Sequence, residues 1–233
     1  MKVKALILSG DGINCEIETA KAFEIAGAEA TIVNLEFFLH NVNIHEYHIM
    51  AFPGGFSFGD EIRSGKILAE LISLYKSEDI KKFIADNKPI IGICNGFQIL
   101  TQLKVFGNEI SLCENKSHEF INKWVTLKLS SEQDSFWFNE LDEMNFSMPV
   151  RHKEGNLQGD LTNCKPALHY LEDVNGSIDC LAAITNVNGN VLGLMPHPEA
   201  ALHPFLLHEK KEKFKYNRQL FINAVDYVKE TFL

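Results

Sequence analysis

The sequence lacks the features that define several large classes of protein. No apolar run approaches the roughly 20 residues of a membrane-spanning helix. Residues 1–4 lead straight into a strand-like segment, without the apolar core of a signal peptide. No linker or low-complexity tract divides the 233 residues, a length that one α/β domain commonly reaches. We therefore expect a single domain over residues 1–233, no contact with a membrane and a cytoplasmic location.

Cysteine pairs and basic clusters are also missing. The five cysteines stand at irregular spacing without a CxxC pair, so we expect reduced thiols. The formal net charge of −9 would repel a phosphate backbone, which argues against a nucleic-acid partner. His40, His45 and His48 have no regular ligand spacing, and we predict no metal site. Gly59 and Gly65 do not have the spacing of a phosphate loop, so no nucleotide site is expected on this chain.

The first half of the chain has the pattern of βαβ units. Short aliphatic runs alternate with amphipathic stretches, which favours a parallel sheet flanked by helices. Asn14 is placed to cap the first helix, and Gly27 to end it. Ile17, Ala20 and Phe23 recur on one face of that helix. We expect strands at 3–8, 29–34, 49–52 and 89–93, and further helices at about 60–75, 78–87 and 97–103.

The second half of the chain has a different pattern. Strand-like segments at 124–129 and 146–150 have no evident helix between them, which predicts an antiparallel excursion. Asn188-Gly189-Asn190 predicts a hairpin turn between strands at 182–187 and 191–195, because asparagine and glycine tolerate positive φ. A final helix is expected to carry an apolar face made of Leu220, Phe221, Ala224, Val225 and Val228.

Cys94 stands in the setting of a nucleophile elbow. The segment from Gly92 to Gly96 follows a buried-type strand and precedes a helical stretch, and its two glycines leave room beside a strained turn. A thiol at a helix N-terminus meets partial positive charge and free N–H groups, which favour the thiolate. A buried structural cysteine is the alternative, but the glycines favour a catalytic Cys94. The remaining cysteines are interpreted as structural, although the first strand-to-helix loop can bring Cys15 to the same edge of the sheet.

His197 is the strongest candidate for a base among the nine histidines. It ends a strand within Met195-Pro196-His197-Pro198-Glu199, and alternate residues of an extended segment face the same way. The two prolines favour extended backbone. We therefore expect Glu199 to hold the imidazole of His197 in one tautomer and to complete a triad with Cys94. A surface turn is the alternative for this segment taken alone.

Backbone N–H groups near the predicted elbow indicate an oxyanion hole. Gly54 and Gly55 follow the third strand, and Asn95 follows the nucleophile. The N–H groups of Gly55 and Asn95 are therefore placed to bind a developing negative charge. Gly54 is expected to let a substrate approach the backbone. A plain turn is the competing explanation for Pro53-Gly54-Gly55.

The segment from Gly92 to Gln98, together with His197-Pro198-Glu199, resembles the class I glutamine amidotransferases. The motif of that family adds a glutamine four residues after the cysteine, and Gln98 matches it. The resemblance implies a flavodoxin-like fold and a glutamyl thioester on Cys94, followed by release of ammonia and hydrolysis to glutamate. It also implies that Gln98 contacts the amino-acid end of bound L-glutamine.

Within this class the chain is similar to the glutaminase subunits of phosphoribosylformylglycinamidine synthase. The similarity is carried by 53–60, 92–100, 193–199 and Asn14-Cys15. It implies that a large synthetase subunit, with a small accessory subunit, uses the ammonia to convert formylglycinamide ribonucleotide to its amidine in purine synthesis. ATP and Mg²⁺ then belong to that partner, with no cofactor on this chain. His152 and Glu154 match the family's His-Gly-Glu-Gly pattern, which implies that they bind substrate.

Two positions depart from the pattern of this family. Lys153 stands where the family has a glycine, and Ala200 stands where it has an arginine. The lost glycine bears on how closely the backbone approaches substrate. Three alternatives stay open: a glutaminase serving a different synthetase, a catalytically inert docking subunit that uses the apolar segment 203–207, and a stand-alone cysteine hydrolase.

Overall fold

The structure, a computed structural model, describes residues 1–60, 63–141, 145–203 and 215–233. Within these ranges it has eleven strands and five α-helices. The strands are β1 Lys4–Ser9, β2 Glu29–Asn34, β3 Ile49–Phe52, β4 Ile90–Ile93, β5 Ser111–Glu114, β6 Ile121–Leu129, β7 Phe146–His152, β8 Glu154–Gln158, β9 Cys164–Tyr170, β10 Leu181–Asn186 and β11 Val191–Leu194. The helices are α1 Glu16–Ile25, α2 Leu35–His40, α3 Lys66–Ala85, α4 Asn95–Gln102 and α5 Lys215–Phe232.

Nine strands form one sheet in the order β2-β1-β3-β4-β11-β10-β9-β6-β7. The first five of these strands are parallel. Every residue of β3, β4 and β11 is buried, as expected of strands that are covered on both faces by helices. Parallel strands end at the same edge of a sheet, so the residues that follow β3, β4 and β11 meet there.

The other four strands extend the same sheet in antiparallel fashion. The hairpin predicted at Asn188-Gly189-Asn190 joins β10 to β11, as the sequence indicated. The strand β9 was not predicted, and neither was the small β5-β8 sheet. The predicted α/β fold, with a large sheet flanked by helices and an antiparallel excursion, is confirmed. The single domain over residues 1–233 stays a prediction.

The first helix differs in detail from the prediction. It begins at Glu16 and has no side-chain cap, because the Oδ1 of Asn14 instead accepts a hydrogen bond from the Cys15 thiol at 3.3 Å. Ala20 and Phe23 are buried as expected, but Ile17 is 69% exposed. The buried face of α1 therefore begins one turn later than the apolar spacing suggested.

One long helix replaces the two that were predicted between residues 60 and 87. α3 begins at Lys66, after Gly65 with φ 73°, and continues to Ala85. Ile72 and Phe83 lie in the core on either side of Lys76 and Ser77, the two polar residues between the predicted helices. Burial on both sides of that stretch holds the helix continuous, and residues 61–62 lie outside the described ranges.

The last helix has the apolar face that the sequence predicted. Its five predicted core residues are all fully buried. Phe221 meets Phe23 of α1 edge to face, with ring centroids 5.1 Å apart. Among the helices in the described ranges, none combines the length and apolar character needed to cross a membrane.

The close packing of α4 on β3 gives a test of the fold. A Cβ at Gly96 would overlap the carbonyl oxygen of Phe52. Gly-to-Ala in an exposed helix interior stabilises by roughly 1 kcal/mol. Here we expect Gly96→Ala to lower the free energy of unfolding by about 1–3 kcal/mol, because the added methyl group meets backbone. Chemical denaturation measures the change, with Gln102→Ala in the same helix as control, and unchanged stability of Gly96→Ala would refute the packing argument.

Candidate active site

Cys94 occupies the tight turn between β4 and α4. Its φ of 51° and ψ of −104° lie outside the regions that L-residues favour, at a cost of roughly 1–3 kcal/mol. A Cβ at Gly92 would lie 2.7 Å from the carbonyl oxygen of Gly96, and a Cβ at Gly96 would overlap Phe52. Both glycines are therefore required by the close approach of backbone segments, which is the geometry that the sequence predicted.

The thiol of Cys94 lies at the N-terminus of α4. Cys94 is 4% exposed, and its Sγ donates a hydrogen bond to the carbonyl oxygen of Arg151 at 3.5 Å. The first N–H groups of a helix have no intrahelical acceptor, and the helix dipole adds partial positive charge.

His197 and Glu199 form a buried pair just beyond β11. The imidazole Nδ1 lies 2.6 Å from the Oε1 of Glu199, and the two side chains are 3% and 1% exposed. The prediction that both stand on an extended segment is wrong, because Pro198–Ala201 forms a 3₁₀ turn. The fixed φ of proline suits the first position of a helical turn as well as extended backbone. The turn nevertheless brings the carboxylate to the imidazole.

The charge of Glu199 controls the protonation of His197. Burial by itself lowers the pKa of this histidine and is the largest single effect. The negative charge of Glu199, followed by the interactions with Cys94 and Cys15, outweighs burial and raises the pKa well above 6.5. His197 is therefore suited to hold a proton at neutral pH and to deliver it to a leaving group.

Cys94 and His197 line the same small cavity, of about 130 Å³, together with Cys15. The Nε2 of His197 is buried and has no hydrogen-bond partner among the described residues. Since Nδ1 is occupied by Glu199, Nε2 is the nitrogen left for proton transfer. The structure thus brings Cys94, His197 and Glu199 together, and their catalytic roles stay a prediction.

The N–H group of Gly55 takes no part in the backbone bridge that this residue forms. Ile13 and Gly55 form an isolated antiparallel bridge, whose bonds run from Asn14 N–H to the Gly54 carbonyl and from Phe56 N–H to the Gly12 carbonyl. This arrangement leaves the N–H of Gly55 out of the bridge, and Gly55 lines both cavities that contain Cys94. The geometry is compatible with the predicted oxyanion hole.

Gly54 has a steric reason to be glycine. A Cβ at this position would lie 2.7 Å from the Cε1 of His197 and 3.3 Å from the Sγ of Cys15. Space beside the imidazole thus depends on the missing side chain. This role differs from the predicted contact with substrate, which stays a prediction.

Asn95 and Gln98 are linked by their side chains. The Nδ2 of Asn95 donates to the Oε1 of Gln98 at 2.9 Å, and its Oδ1 accepts from the N–H of Ser57 at 3.2 Å. The Nε2 of Gln98 donates to the carbonyl oxygen of Glu154. Sequence reasoning assigned Asn95 only through its backbone N–H, so this network was missed. It fixes Gln98 where α4 meets the loop after β3.

A second cavity, of about 310 Å³, extends from Cys94 and has room for a substrate of amino-acid size. Gln98, His152 and Glu154 line it, as does Gly55. Three of the four residues predicted to bind substrate, all except Gly54, therefore share one cavity with the predicted nucleophile and with Gly55 of the predicted oxyanion hole. Their contacts with a substrate stay predictions.

The tautomer of His152 follows from its neighbour Asn115. The Nδ2 of Asn115 donates to the carbonyl oxygens of His152 and Glu119, both at 2.9 Å. Its Oδ1 must therefore face the Nδ1 of His152, which lies 3.0 Å away. An amide oxygen only accepts, so Nδ1 carries the proton and the Nε2 of neutral His152 is an acceptor. Asn115 was not identified from the sequence.

His152 is neutral near pH 7. Burial is the main cause and the charge of His197 adds to it, and together they lower the pKa of His152 to about 4. Its Nε2 is buried without a partner among the described residues. His152 thus offers an acceptor next to the cavity, and it does not add a second positive charge beside His197.

Lys153 does not distort the backbone at this site. Its φ is negative, so the position does not need the freedom of a glycine. The side chain points to Glu114, with Nζ 3.0 Å from Oε1, and the carbonyl oxygen of Lys153 accepts from the N–H of Asn115 at 2.8 Å.

Ala200, the second departure from the family pattern, lies in the 3₁₀ turn after His197. Together with Glu199 it lines a cavity of about 720 Å³.

The three histidines considered for a metal site have unrelated contacts. These are His40 with Tyr75, His45 with Asp79 and His48 with Lys4. Among the described residues, the group with the spacing of metal ligands is instead Cys15, His197 and Glu199. That the chain holds no resident metal stays a prediction.

The pKa of His197 gives a test of the buried pair. In Glu199→Gln the carboxylate no longer opposes the effect of burial, so the pKa of His197 should fall. NMR titration of labelled histidines measures it, and Glu114→Gln should leave it unchanged. A His197 pKa that stays raised in Glu199→Gln contradicts this account.

The low pKa of His152 predicts acid sensitivity. In the folded chain its pKa is about 4 against 6.5 for a free histidine, so the unfolded state takes up the extra proton as pH falls from 6.5 to 4. His152 therefore costs stability in that window, up to about 3 kcal/mol. Between pH 7 and pH 4.5, denaturation should show a smaller loss of stability for His152→Gln than for wild type, whereas the half-buried His169→Gln should lose as much as wild type. Equal acid losses in wild type and His152→Gln would disprove the effect.

Comparison with known proteins identifies curated relatives along almost the whole chain. Phosphoribosylformylglycinamidine synthase subunit PurQ from Methanococcus maripaludis is 35% identical over 269 residues, covering 97% of this chain and 99% of that protein. The subunit of the same name from Pyrococcus horikoshii is 34% identical over 238 residues, covering 98% and 100%.

Solved structures and a family profile give the same result. A chain in the structure of PurLQS from Thermotoga maritima has a TM-score of 0.84 and 32% identity, covering 98% of this chain and 100% of that one. A glutamine amidotransferase from Thermotoga maritima, with a TM-score of 0.68, 16% identity and 99% and 100% coverage, shares the fold. The profile of the CobB/CobQ-like glutamine amidotransferase domain matches residues 2–228. The chain therefore belongs to the CobB/CobQ-like glutamine amidotransferase family.

Proposed function

We propose that this chain is the glutaminase subunit of a phosphoribosylformylglycinamidine synthase. It hydrolyses L-glutamine to glutamate and ammonia, and a synthetase partner uses the ammonia in purine biosynthesis. One observation carries the proposal: a chain similar to PurQ subunits over nearly its full length places Cys94 on a strained elbow beside the buried His197–Glu199 pair.

The proposed reaction begins at the sulfur of Cys94. The thiolate attacks the side-chain amide carbon of glutamine, and the resulting oxyanion is held by the N–H groups of Gly55 and Asn95. The Nε2 of His197 gives its proton to the leaving nitrogen, so ammonia departs and a glutamyl thioester remains. Water then attacks the thioester while His197 takes a proton from it, which releases glutamate and restores the thiolate of Cys94 and the protonated His197. Glu199 holds Nδ1 throughout.

Substrate recognition is assigned to the wall of the larger cavity. Gln98, fixed by Asn95, is proposed to contact the amino-acid end of glutamine. The Nε2 of His152 is proposed to accept an N–H of the substrate, since its tautomer leaves a lone pair there. Glu154 supplies a carboxylate that already accepts from Ser64 N–H at 3.4 Å, and Gly54 keeps the backbone open. An ammonium group fits acceptors of this kind.

The proposed partners are a large synthetase subunit and a small accessory subunit. The name PurLQS of the Thermotoga maritima structure supports such an assembly. ATP and Mg²⁺ are assigned to the synthetase, and this chain needs no cofactor of its own for thiol chemistry. A reducing compartment such as the cytoplasm keeps Cys94 a free thiol. We assign no role in binding nucleic acid or a membrane.

The inert docking subunit is a weaker alternative. It was suggested by Lys153 and by the apolar segment 203–207. Lys153 leaves the backbone of the site undisturbed, as described above, and residues 204–207 lie outside the described ranges. A glutaminase serving another synthetase is the stronger rival, since a triad produces ammonia whatever the acceptor.

Replacement of the nucleophile separates the two half-reactions. In the reconstituted complex, Cys94→Ala should abolish glutamine-dependent synthesis from formylglycinamide ribonucleotide and ATP. Synthesis with added ammonium salt should be unchanged, because the partner then receives ammonia directly. Cys164→Ala, a buried cysteine on β9, should keep both activities. Loss of both activities in Cys94→Ala would contradict the division of labour, and an active glutaminase with no amidine product would assign the chain to another synthetase.

A further inference from the structure

Asn115 is a fully buried residue that no step of the proposed reaction uses. It follows β5 and is 0% exposed. Its Nδ2 donates to the carbonyl oxygens of His152 and Glu119, both at 2.9 Å. Its Oδ1 lies 3.0 Å from the Nδ1 of His152. The side chain therefore holds His152 at two points, the backbone carbonyl and the ring.

The orientation of the Asn115 amide is fixed by its surroundings. Both N–H groups of Nδ2 donate to carbonyl oxygens, so turning the amide over would place an oxygen against two oxygens. The backbone is held as well. The N–H of Asn115 donates to the carbonyl oxygen of Lys153, and its carbonyl oxygen accepts from the N–H of His118, both at 2.8 Å. Asn115 cannot change its hydrogen bond to the imidazole without breaking several others.

The imidazole of His152 has little room to turn. His152 is 2% exposed, and a Cβ at Gly155 would overlap the imidazole. The ring thus packs on the backbone of Gly155 while Asn115 accepts its Nδ1 proton. The buried Nε2 has no hydrogen-bond partner among the residues that the structure describes. A buried acceptor of this kind is costly unless a ligand or water supplies a donor.

The cavity beside His152 combines this acceptor with a carboxylate. His152 and Glu154 both line the cavity of about 310 Å³ that contains Cys94. Glutamine carries an ammonium group, which only donates hydrogen bonds and is stabilised by a carboxylate and by neutral acceptors. A His152 proton on Nε2 instead of Nδ1 would replace one acceptor by a donor. The location of one proton thus decides whether this wall of the cavity suits an ammonium group.

We propose that Asn115 is a positioning residue, which holds the proton of His152 on Nδ1 so that Nε2 accepts a hydrogen bond from the α-ammonium group of glutamine. This role rests on the proposed function, whereas the location of the proton does not. The bonds of Asn115 described above run to none of the predicted triad residues. Its loss should therefore raise the KM for glutamine and leave kcat nearly unchanged.

The location of the proton is measured without any enzymatic assay. In the ¹⁵N-labelled chain at pH 7, NMR chemical shifts distinguish the protonated ring nitrogen of a neutral histidine from the other one. His152, recognised as the signal missing from His152→Leu, should carry its proton on Nδ1. Asn115→Leu, which is similar in size but lacks an acceptor, should move the proton to Nε2, because Nε2–H can donate to water in the cavity.

Asn190 provides a matched control. It is 1% exposed, and its Nδ2 also donates to two carbonyl oxygens, those of Ile84 and Lys88, both at 3.0 Å. It lies just before β11, at the opposite end of that strand from His197. Asn190→Leu should lose comparable stability, but it should leave the proton of His152 on Nδ1 and the KM for glutamine unchanged.

The role in substrate binding is tested in the reconstituted complex. Asn115→Leu should raise the KM for glutamine about tenfold, since one charge-assisted hydrogen bond is lost, and ammonia-dependent synthesis should be unchanged. His152→Leu should raise the KM by a similar factor. The double variant should raise it no further, because both changes remove the same acceptor. Glutaramate, which is glutamine without its amino group, should be used equally well by wild type and Asn115→Leu.

Three results would overturn the proposal: a proton on the Nε2 of His152 in the wild type, a proton that stays on Nδ1 in Asn115→Leu, or effects of Asn115→Leu and His152→Leu on KM that add. The first needs no variant, so it can be obtained whether or not Asn115→Leu folds. A wild-type complex that uses ammonia but not glutamine would instead refute the proposed function. The substrate role of Asn115 would then fall with it, while the NMR results would stand.

Discussion

The backbone of Cys94 is the constraint on which the rest of the site depends. Its φ of 51° and ψ of −104° turn the chain from β4 into α4 within one residue, so the sulfur lies at the helix N-terminus. The turn persists because Gly92 and Gly96 allow backbone segments to touch. Strain of roughly 1–3 kcal/mol at such a residue is retained only where the surrounding packing over-determines it, and here β3 and β11 lie on either side of β4.

Sheet order converts that turn into a site. β11 lies next to β4 and parallel to it, so the residues that follow the two strands emerge at one edge. Cys94 follows β4, His197 follows β11, and the loop with Gly55 follows β3. The antiparallel strand β7 adds His152 and Arg151 from the second half of the chain. Buried Glu199 then raises the pKa of His197 so that its imidazole is charged, whereas burial and the charge of His197 keep His152 neutral.

Close packing around His197 also explains the environment of Cys15. The loop before α1 is held against Gly54, whose carbonyl oxygen accepts from the N–H groups of Asn14 and Cys15. This contact brings a second sulfur to the imidazole, and burial raises the pKa of the Cys15 thiol despite the opposing effect of His197. Cys15 is thus a protonated thiol at neutral pH.

The sequence by itself determined the tight turn at Cys94, the pairing of His197 with Glu199, and the alternation of strands and helices. Each of these depends on the backbone over a few neighbouring residues, so it appears in the sequence as a local pattern of glycine, proline and apolar residues. It did not determine the continuity of α3, the exposure of Ile17, the 3₁₀ turn at Pro198–Ala201 or the contacts of Asn115 and Cys15. Those depend on which elements pack together. Only the tertiary structure decided them, since burial and hydrogen bonding between residues distant in the chain outweigh local preference.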